Sequence, residues 1–155
     1  MAYIDTVKGE LYLVEIGEVV GNATVFTHNA LINSNRNLSI SMETEEDIIV
    51  DLANMAAPGQ KVRASKAIDV KIDGSGKVNS NSVTYWTTWM QTGQPKQVRY
   101  RQATNAVTMA NAVGALYGVG PFLCTSFQIE AETQKYTTVS VTLEQAGPVT
   151  FTSAT

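Results

Sequence analysis

Side chains able to do covalent or acid–base chemistry are few in this 155-residue sequence, and they are scattered. It holds one histidine, His28, and one cysteine, Cys124. A general base needs a group that orients it, and a nucleophile needs a base within reach. His28 stands among threonines with neither kind of partner nearby in sequence, and Cys124 beside Leu123 reads as a small inert strand residue. One of each cannot make a His/Cys metal cluster, and a single cysteine rules out a disulfide framework within the chain. Gly74-Ser75-Gly76-Lys77-Val78 lacks the spacing and the hydroxyl of a phosphate-cradling loop, and no G-x-S-x-G elbow occurs. Glu43, Glu45, Glu46 and Asp47 offer oxygen ligands for calcium without the alternating spacing and turn glycine such a loop needs, so they read as solvated charge. A hydrolytic carboxylate pair could be drawn from any of the 14 acids, and nothing in the spacing selects one. The expectation is a protein that is not an enzyme and uses no cofactor or metal.

Charge points the same way. Eleven basic and 14 acidic residues give a net charge of −3 and a pI near 5.1, which is wrong for a dedicated nucleic-acid binder with a basic face. Lys61, Arg63 and Lys66 carry no interleaved aromatics and suit a charged contact with another protein surface better than a DNA groove. The first eight residues mix Asp5 and Lys8 with polar residues and lack the apolar region of an export signal, and no apolar run approaches the ~20 residues needed to span a bilayer. The expectation is a soluble chain with no membrane partner.

The elements that must position these residues are strands. Seventeen Val, nine Ile and 18 Thr stand against eight Leu, a β-branched excess that favours sheet. Period-two alternation is clearest near the end, where Leu123, Thr125, Phe127, Ile129 and Ala131 alternate with Cys124, Ser126, Gln128, Glu130 and Glu132. Residues 136–144 repeat it with Val139, Val141 and Leu143, which predicts an antiparallel hairpin turning at 133–135. A short edge strand at 149–152 follows Gly147-Pro148. A first hairpin is expected from 10–16 and 22–28 around 17–21, with Leu11 and Leu13 on one face and Tyr12, Val14 and Ile16 on the other. Further strands are expected at 37–42, at 67–73 before a Gly74-Ser75-Gly76 turn, and at 97–101. Seven or eight such strands predict a single mainly β domain over 1–155, a sandwich or partly open barrel with one short helix and long loops. The helix is expected at 80–92, because Val83, Trp86, Trp89 and Met90 share a helical face between a cap at Asn81 or Ser82 and Gly93. Val83, Tyr85, Thr87 and Trp89 would also serve a strand.

Two stretches fit no element and are expected to be loops. Residues 43–63 carry the acidic cluster, then Ile48-Ile49-Val50, then Pro58-Gly59. Residues 102–120 are rich in Ala and Gly. Apolar residues inside a charged loop call for a surface to cover them, and another copy of the chain would serve.

The order of these pieces resembles the major tail, or tail tube, proteins of long-tailed bacteriophages and related tail-derived particles. The resemblance is carried by Gly120-Pro121-Phe122-Leu123 leading into Thr125-Ser126-Phe127-Gln128-Ile129, by Val139-Ser140-Val141-Thr142-Leu143-Glu144, and by Gly147 with Val149-Thr150-Phe151-Thr152. Gly9-Glu10-Leu11-Tyr12-Leu13 at the start and Leu38-Ser39-Ile40-Ser41-Met42-Glu43 entering the long loop are similar too. Gln145-Ala146 departs from the small residues usual before the turn glycine, and 102–120 is longer than expected of a minimal member.

The resemblance implies a structural virion protein that assembles into stacked, hexameric rings. Its inner strands would join into a β-barrel around a channel for DNA ejection. It also implies synthesis in the host bacterial cytoplasm and residence in the virion tail. Implied partners are other copies of the chain, tape-measure and tail-terminator proteins, and double-stranded DNA in non-specific transit. The long loop would be the inter-ring or inter-subunit arm, with contacts at Glu43, Glu45, Glu46, Asp47, Ile48, Ile49, Val50, Leu52, Lys61 and Arg63. Multiple phosphate contacts bind DNA tightly, so a conduit should avoid a basic wall. Acids able to face the lumen are Asp69, Asp73, Glu130, Glu132 and Glu144. Alternatives are the tube of a contractile injection system or gene-transfer particle, and a carbohydrate-binding or adhesive β-sandwich with Trp86 and Trp89 as a surface platform.

Overall fold

The computed structural model of the chain describes residues 9–28, 34–78, 83–105 and 107–155. The expectations for the first eight residues and for a cap at Asn81 or Ser82 lie outside them. A single 3-10 turn, Gly9–Leu11, leads into β1 (Tyr12–Val20) and β2 (Ala23–His28). Then follow β3 (Asn35–Ile49), β4 (Gln60–Lys77), the helix α1 (Val83–Thr92), β5 (Lys96–Gln102), β6 (Leu116–Glu130), β7 (Thr138–Gln145) and β8 (Thr150–Ser153). The pairing order is β2-β1-β5-β6-β7-β4-β3, antiparallel throughout, with β8 beside the first part of β6. The expected partly open barrel is thus one curled sheet that does not close. Its curl brings β3 back toward the start of β1, where Arg36 Nη2 donates to the Gly9 carbonyl at 3.3 Å and the Tyr100 hydroxyl donates to the Arg36 carbonyl at 3.3 Å.

Inside the curl lies the core: Val14 and Ile16 of β1, Val70 and Ile72 of β4, Val98 of β5, Phe122 of β6, and Val139, Val141 and Leu143 of β7. The helix closes it. Trp86 and Trp89 are 0% and 2% exposed, stack on each other at 5.7 Å, and Trp86 stacks on Phe127 at 6.4 Å. They are core residues, which removes the surface platform that a sugar-binding reading requires. Helical spacing prevailed over the competing strand pattern because both indoles then enter the core together. Gly93 ends the helix at φ +64°, its N–H donating to the Trp89 carbonyl at 3.2 Å, as a left-handed helix terminus requires.

Several sequence expectations change. Residues 43–63 are not a loop: β3 and β4 pair from Asn35↔Ser75 to Ile49↔Gln60, leaving only 50–59 outside the ladder. Gly74-Ser75-Gly76 is not a turn but strand, with Gly74 and Gly76 buried opposite Val141 and Val139. Residues 116–120 belong to β6, so only 103–115 of the second expected loop lies outside the named strands. On β6 the alternation reverses. A bulge between Cys124 and Ser126 puts Phe122 and Cys124 on the core face before it and Phe127 after it. Cys124 is therefore a core residue, 8% exposed, and not on the polar register. On β1 both faces are buried from Leu13 to Gly17, because Leu13 and Glu15 are covered on the side away from the core.

Candidate assembly surface

The chemistry available to this fold lies in its edges and faces. Strand edges that lack a neighbour among the described residues include β2 opposite β1, β3 opposite β4, β8 opposite β6, β4 before Lys71, and β6 beyond Phe122, where β5 has ended. Unmet backbone donors and acceptors along such edges are templates for another chain.

The longest exposure is the β3–β4 ribbon. β4 pairs with β7 only from Lys71 onward. At that fork the Gln145 side chain accepts the Val70 N–H at 3.1 Å and donates to the Gly147 carbonyl at 2.7 Å. Gln145 thereby ties β4 to the chain just beyond β7. Beyond the fork, residues 60–69 pair with β3 alone. Ten residues at about 3.3 Å each project about 33 Å from the body. A two-stranded ribbon in water is marginal alone. Cross-strand ion pairs brace this one: Glu46 receives Arg63 Nε at 2.8 Å and Lys61 at 3.6 Å, and Glu43 receives Lys66 at 3.5 Å. All are exposed, and such pairs are worth at most about 1 kcal/mol each. Ile40, Met42 and Ile68 form an apolar stripe more than half exposed, continuing the core face outward. At the tip, Leu52 and Met55 are 86% and 74% exposed.

The structure places the predicted contact residues on this arm. Glu43, Glu45, Glu46, Asp47, Ile48 and Ile49 lie on β3, Lys61 and Arg63 on β4, and Val50 and Leu52 at the tip. Ile48 and Ile49 point to opposite faces, so they are two exposed residues and not one apolar anchor.

The outward face of β3-β4-β7-β6 is polar. Cross-strand rows run Asn37, Asp73, Thr142, Ser126 and Ser39, Lys71, Glu144, Leu123. Asp73 accepts the Thr142 hydroxyl at 3.0 Å. Asp69, Asp73, Glu130 and Glu144 share this face with Lys71 and Lys77, so acids outnumber bases there. Glu132 falls beyond the strand, paired with Lys135.

Two ion-pair groups that no sequence signal singled out link elements of the body. Glu15, 5% exposed, receives Arg101 Nε and, at 2.6 Å, Arg99 Nη2. Arg101 Nη1 also donates to the Met109 carbonyl at 2.5 Å and to Asn111 Oδ1 at 3.0 Å, fastening residues 109–111 to β5. Near the helix, Glu18 Oε1 accepts the Tyr85 hydroxyl at 2.5 Å and Lys96 Nζ at 2.6 Å. Partial burial pushes the Glu18 carboxyl up, but the hydrogen bonds from Lys96 and Tyr85 outweigh this and hold it below the usual carboxylate range. Burial, then the Glu18 carboxylate, push the Tyr85 hydroxyl well above its ordinary value.

As for the catalytic candidates, burial pushes the Cys124 thiol up to about 11, against the direction a nucleophile needs. His28 ends β2 opposite Glu15; its imidazole lies outside the described structure. No group of three or more potential metal ligands occurs among the described residues. No helix among them is long and apolar enough to cross a membrane.

No family model and no curated protein matches the sequence. Solved structures do match. One is a chain from the tail of an empty gene transfer agent particle determined by helical refinement with C6 symmetry, at TM-score 0.69 and 15% identity, covering 96% of this chain and 100% of that one. Another comes from the sheath/tube terminator of an extracellular contractile injection system in its extended state, at TM-score 0.65 and 14% identity, covering 98% and 100%. A third is from the SPP1 tail tube, at TM-score 0.59 and 7% identity, covering 96% and 80%. At these identities the likeness is one of fold: the chain has a tail-tube-like fold.

Proposed function

We propose that this chain is a structural tail-tube subunit, which assembles into closed, hexameric rings that stack into a conduit for DNA. The observation that carries the reading is the pair of open edges on one four-stranded, outward-polar half-sheet. Rotation about an axis along the strands preserves their sense, so the free edge of β3 on one copy meets the free edge of β6 on the next in antiparallel orientation. Heterologous contacts of this kind close into rings and cover both open edges of this half-sheet. The polar face of β3-β4-β7-β6 then lines the lumen. Its surplus of Asp and Glu over Lys keeps DNA from binding as it passes, since phosphate affinity rises steeply with each cationic contact. The projecting arm carries the axial contact between rings. Tape-measure and tail-terminator proteins are the expected occupants of the lumen and the tube end. The setting is the tail of a virion or related particle, after synthesis in the bacterial host.

Native mass spectrometry of purified protein tests ring closure. A closed species of six copies is expected. A monomer that persists at high concentration sinks the reading. A reconstruction of the tube with a basic lumen sinks its electrostatic part.

A further inference from the structure

Backbone hydrogen bonds alternate in direction along an antiparallel strand, so a few of them fix which way every residue of the half-sheet faces its neighbours. The Val78 N–H donates to the Thr137 carbonyl at 3.0 Å just beyond the Lys77↔Thr138 pair, and the Val70 N–H donates to the Gln145 side chain at the end of β7. Even-numbered residues 70–76 of β4 therefore bond toward β7, and Lys71, Asp73 and Ser75 bond toward Ser39, Asn37 and Asn35 of β3. Leu38, Ile40 and Met42 are left with their backbone groups pointing out of the β3 edge. The same alternation on β7 turns Ser126, Gln128 and Glu130 toward it and leaves Phe127 and Ile129 pointing out of the β6 edge. On both edges these positions carry core-face side chains, since Ile40 pairs with Val70, Phe127 with Val141 and Ile129 with Val139. Yet Ile40, Met42 and Ile129 are 53%, 54% and 47% exposed.

Within one copy the cross-strand row of Phe127 runs through Val141 and Gly74 to Arg36. A copy added by rotation is offset from that row, because strands of a closed barrel tilt by roughly 35–45° and each copy contributes four strands about 4.8 Å apart. The offset is about 13 to 19 Å, or about four to six residues at about 3.3 Å each, and it does not depend on the number of copies. It runs toward the arm. The other direction carries Phe127 past the start of β3 at Asn35, and at Arg36 the edge carbonyl already accepts the Tyr100 hydroxyl. It is even, because an odd offset would bring the core face of one copy to the lumen face of the next. An offset of four leaves Met42 beside the bulge at Thr125, whereas six gives both exposed β3 side chains an apolar counterpart. We infer that β3 of one copy pairs with β6 of a second copy with Ile40 opposite Ile129 and Met42 opposite Phe127, so that the apolar residues at the root of the arm form the seam between subunits. The inference rests on the tube reading above and gives its joint a register. Opposed apolar pairs of this kind stabilise a sheet, and burying them removes the exposure that a lone subunit carries.

Cysteine cross-linking reads the register. In the inferred pairing Ser41 faces Gln128 on the lumen side as a pair without mutual backbone hydrogen bonds, where opposed Cα atoms stand about 4.5 Å apart, within disulfide range. Ser39 is then a diagonal neighbour of Gln128 at about 7 to 8 Å, beyond that range. Within one copy Gln128 lies in the row of Asn35, two strands away from β3 and well short of Ser41, so no bridge can form inside a subunit. The native Cys124 is buried in the core and does not compete. Chains carrying Gln128→Cys with either Ser41→Cys or Ser39→Cys are assembled, oxidised and run on denaturing gels, with electron microscopy of each sample in parallel. All three positions are exposed, so both variants are expected to fold. The expected result is a ladder of disulfide-linked oligomers with Ser41→Cys and single chains with Ser39→Cys. A ladder through Ser39→Cys alone, or rings that form with no ladder in either variant, overturns the register and leaves the tube reading standing. Absence of assembly in every sample, unsubstituted protein included, overturns the tube reading and the inference with it. As an independent arm, Met42→Asp is expected to raise the concentration needed for rings at least tenfold while the melt of dilute protein stays unchanged. Rings that form at the same concentration as the natural protein count against the seam.

Discussion

Leu52→Asp separates what holds the subunit together from what joins subunits. Leu52 is 86% exposed at the arm tip, so its replacement removes almost no contact within one copy, and changes of that kind stay within about 0.5 kcal/mol of monomer stability. In an assembly the balance reverses. Full burial of a leucine is worth about 1.5 to 3 kcal/mol, and this side chain has nearly all of its surface left to bury. A loss of about 2 kcal/mol per axial contact corresponds to roughly a 30-fold rise in the critical concentration for tubes, at about 1.4 kcal/mol per factor of ten. A carboxylate forced into the contact adds a desolvation cost in the same direction. Sedimentation velocity across a dilution series gives the critical concentration, and a thermal melt of dilute protein gives subunit stability. The expected outcome is an unchanged melt with assembly shifted by at least an order of magnitude. A melt that falls by many degrees while the critical concentration stays put would refute the reasoning, because the tip would then be part of the subunit's own fold.

The opposite pattern is expected inside the curl. Trp86→Ala, at a fully buried indole stacked between Trp89 and Phe127, should cost about 3 to 5 kcal/mol in denaturant unfolding, and the intact protein should show blue-shifted tryptophan emission that acrylamide barely quenches. Gly118→Ala places a methyl 2.6 Å from the Phe151 ring, against a flat side chain with little room to yield, and should cost about 1 to 3 kcal/mol with β8 loosened in amide exchange. Unchanged β8 protection would count against that packing. Because the Glu18 carboxyl is held below its usual range in the folded state, its contribution is present above about pH 4.5 and is lost as the pH falls through the lowered value. Stability measured against pH should therefore fall more steeply on the acid side in the natural protein than in Glu18→Gln, and parallel curves would show that Glu18 does not set that limb.

Elements with one buried face were legible in the sequence, since Val139, Val141 and Leu143 repeat at the strand period and the register confirms them on one side. The helix was legible from its spacing and its terminal glycine. The arm was not. Its residues alternate charge with charge, as in Glu43, Glu45 and Asp47, because both faces of a projecting ribbon meet solvent, and a polar strand looks like a loop when alternation is read only in hydrophobicity. The bulge near Thr125 was hidden for a similar reason: one inserted residue exchanges the two faces, and a count of every second residue carries straight through it. Of the assembly surface, the acids of the outward face were legible as polar strand positions. The fork pinned by Gln145 and the Arg101 clasp on Met109 and Asn111 depend on residues 75 and ten or fewer positions apart meeting side by side, and the sequence carries no local mark of either.

The most direct test of the central claim is electron microscopy of the purified protein over a rising concentration series. Closed rings giving way to stacked tubes are the expected result, with neighbouring copies joined from β3 to β6 and the acid-bearing face inward. Particles that remain the size of one subunit at every concentration, or that join through other edges with that face turned outward, would contradict it.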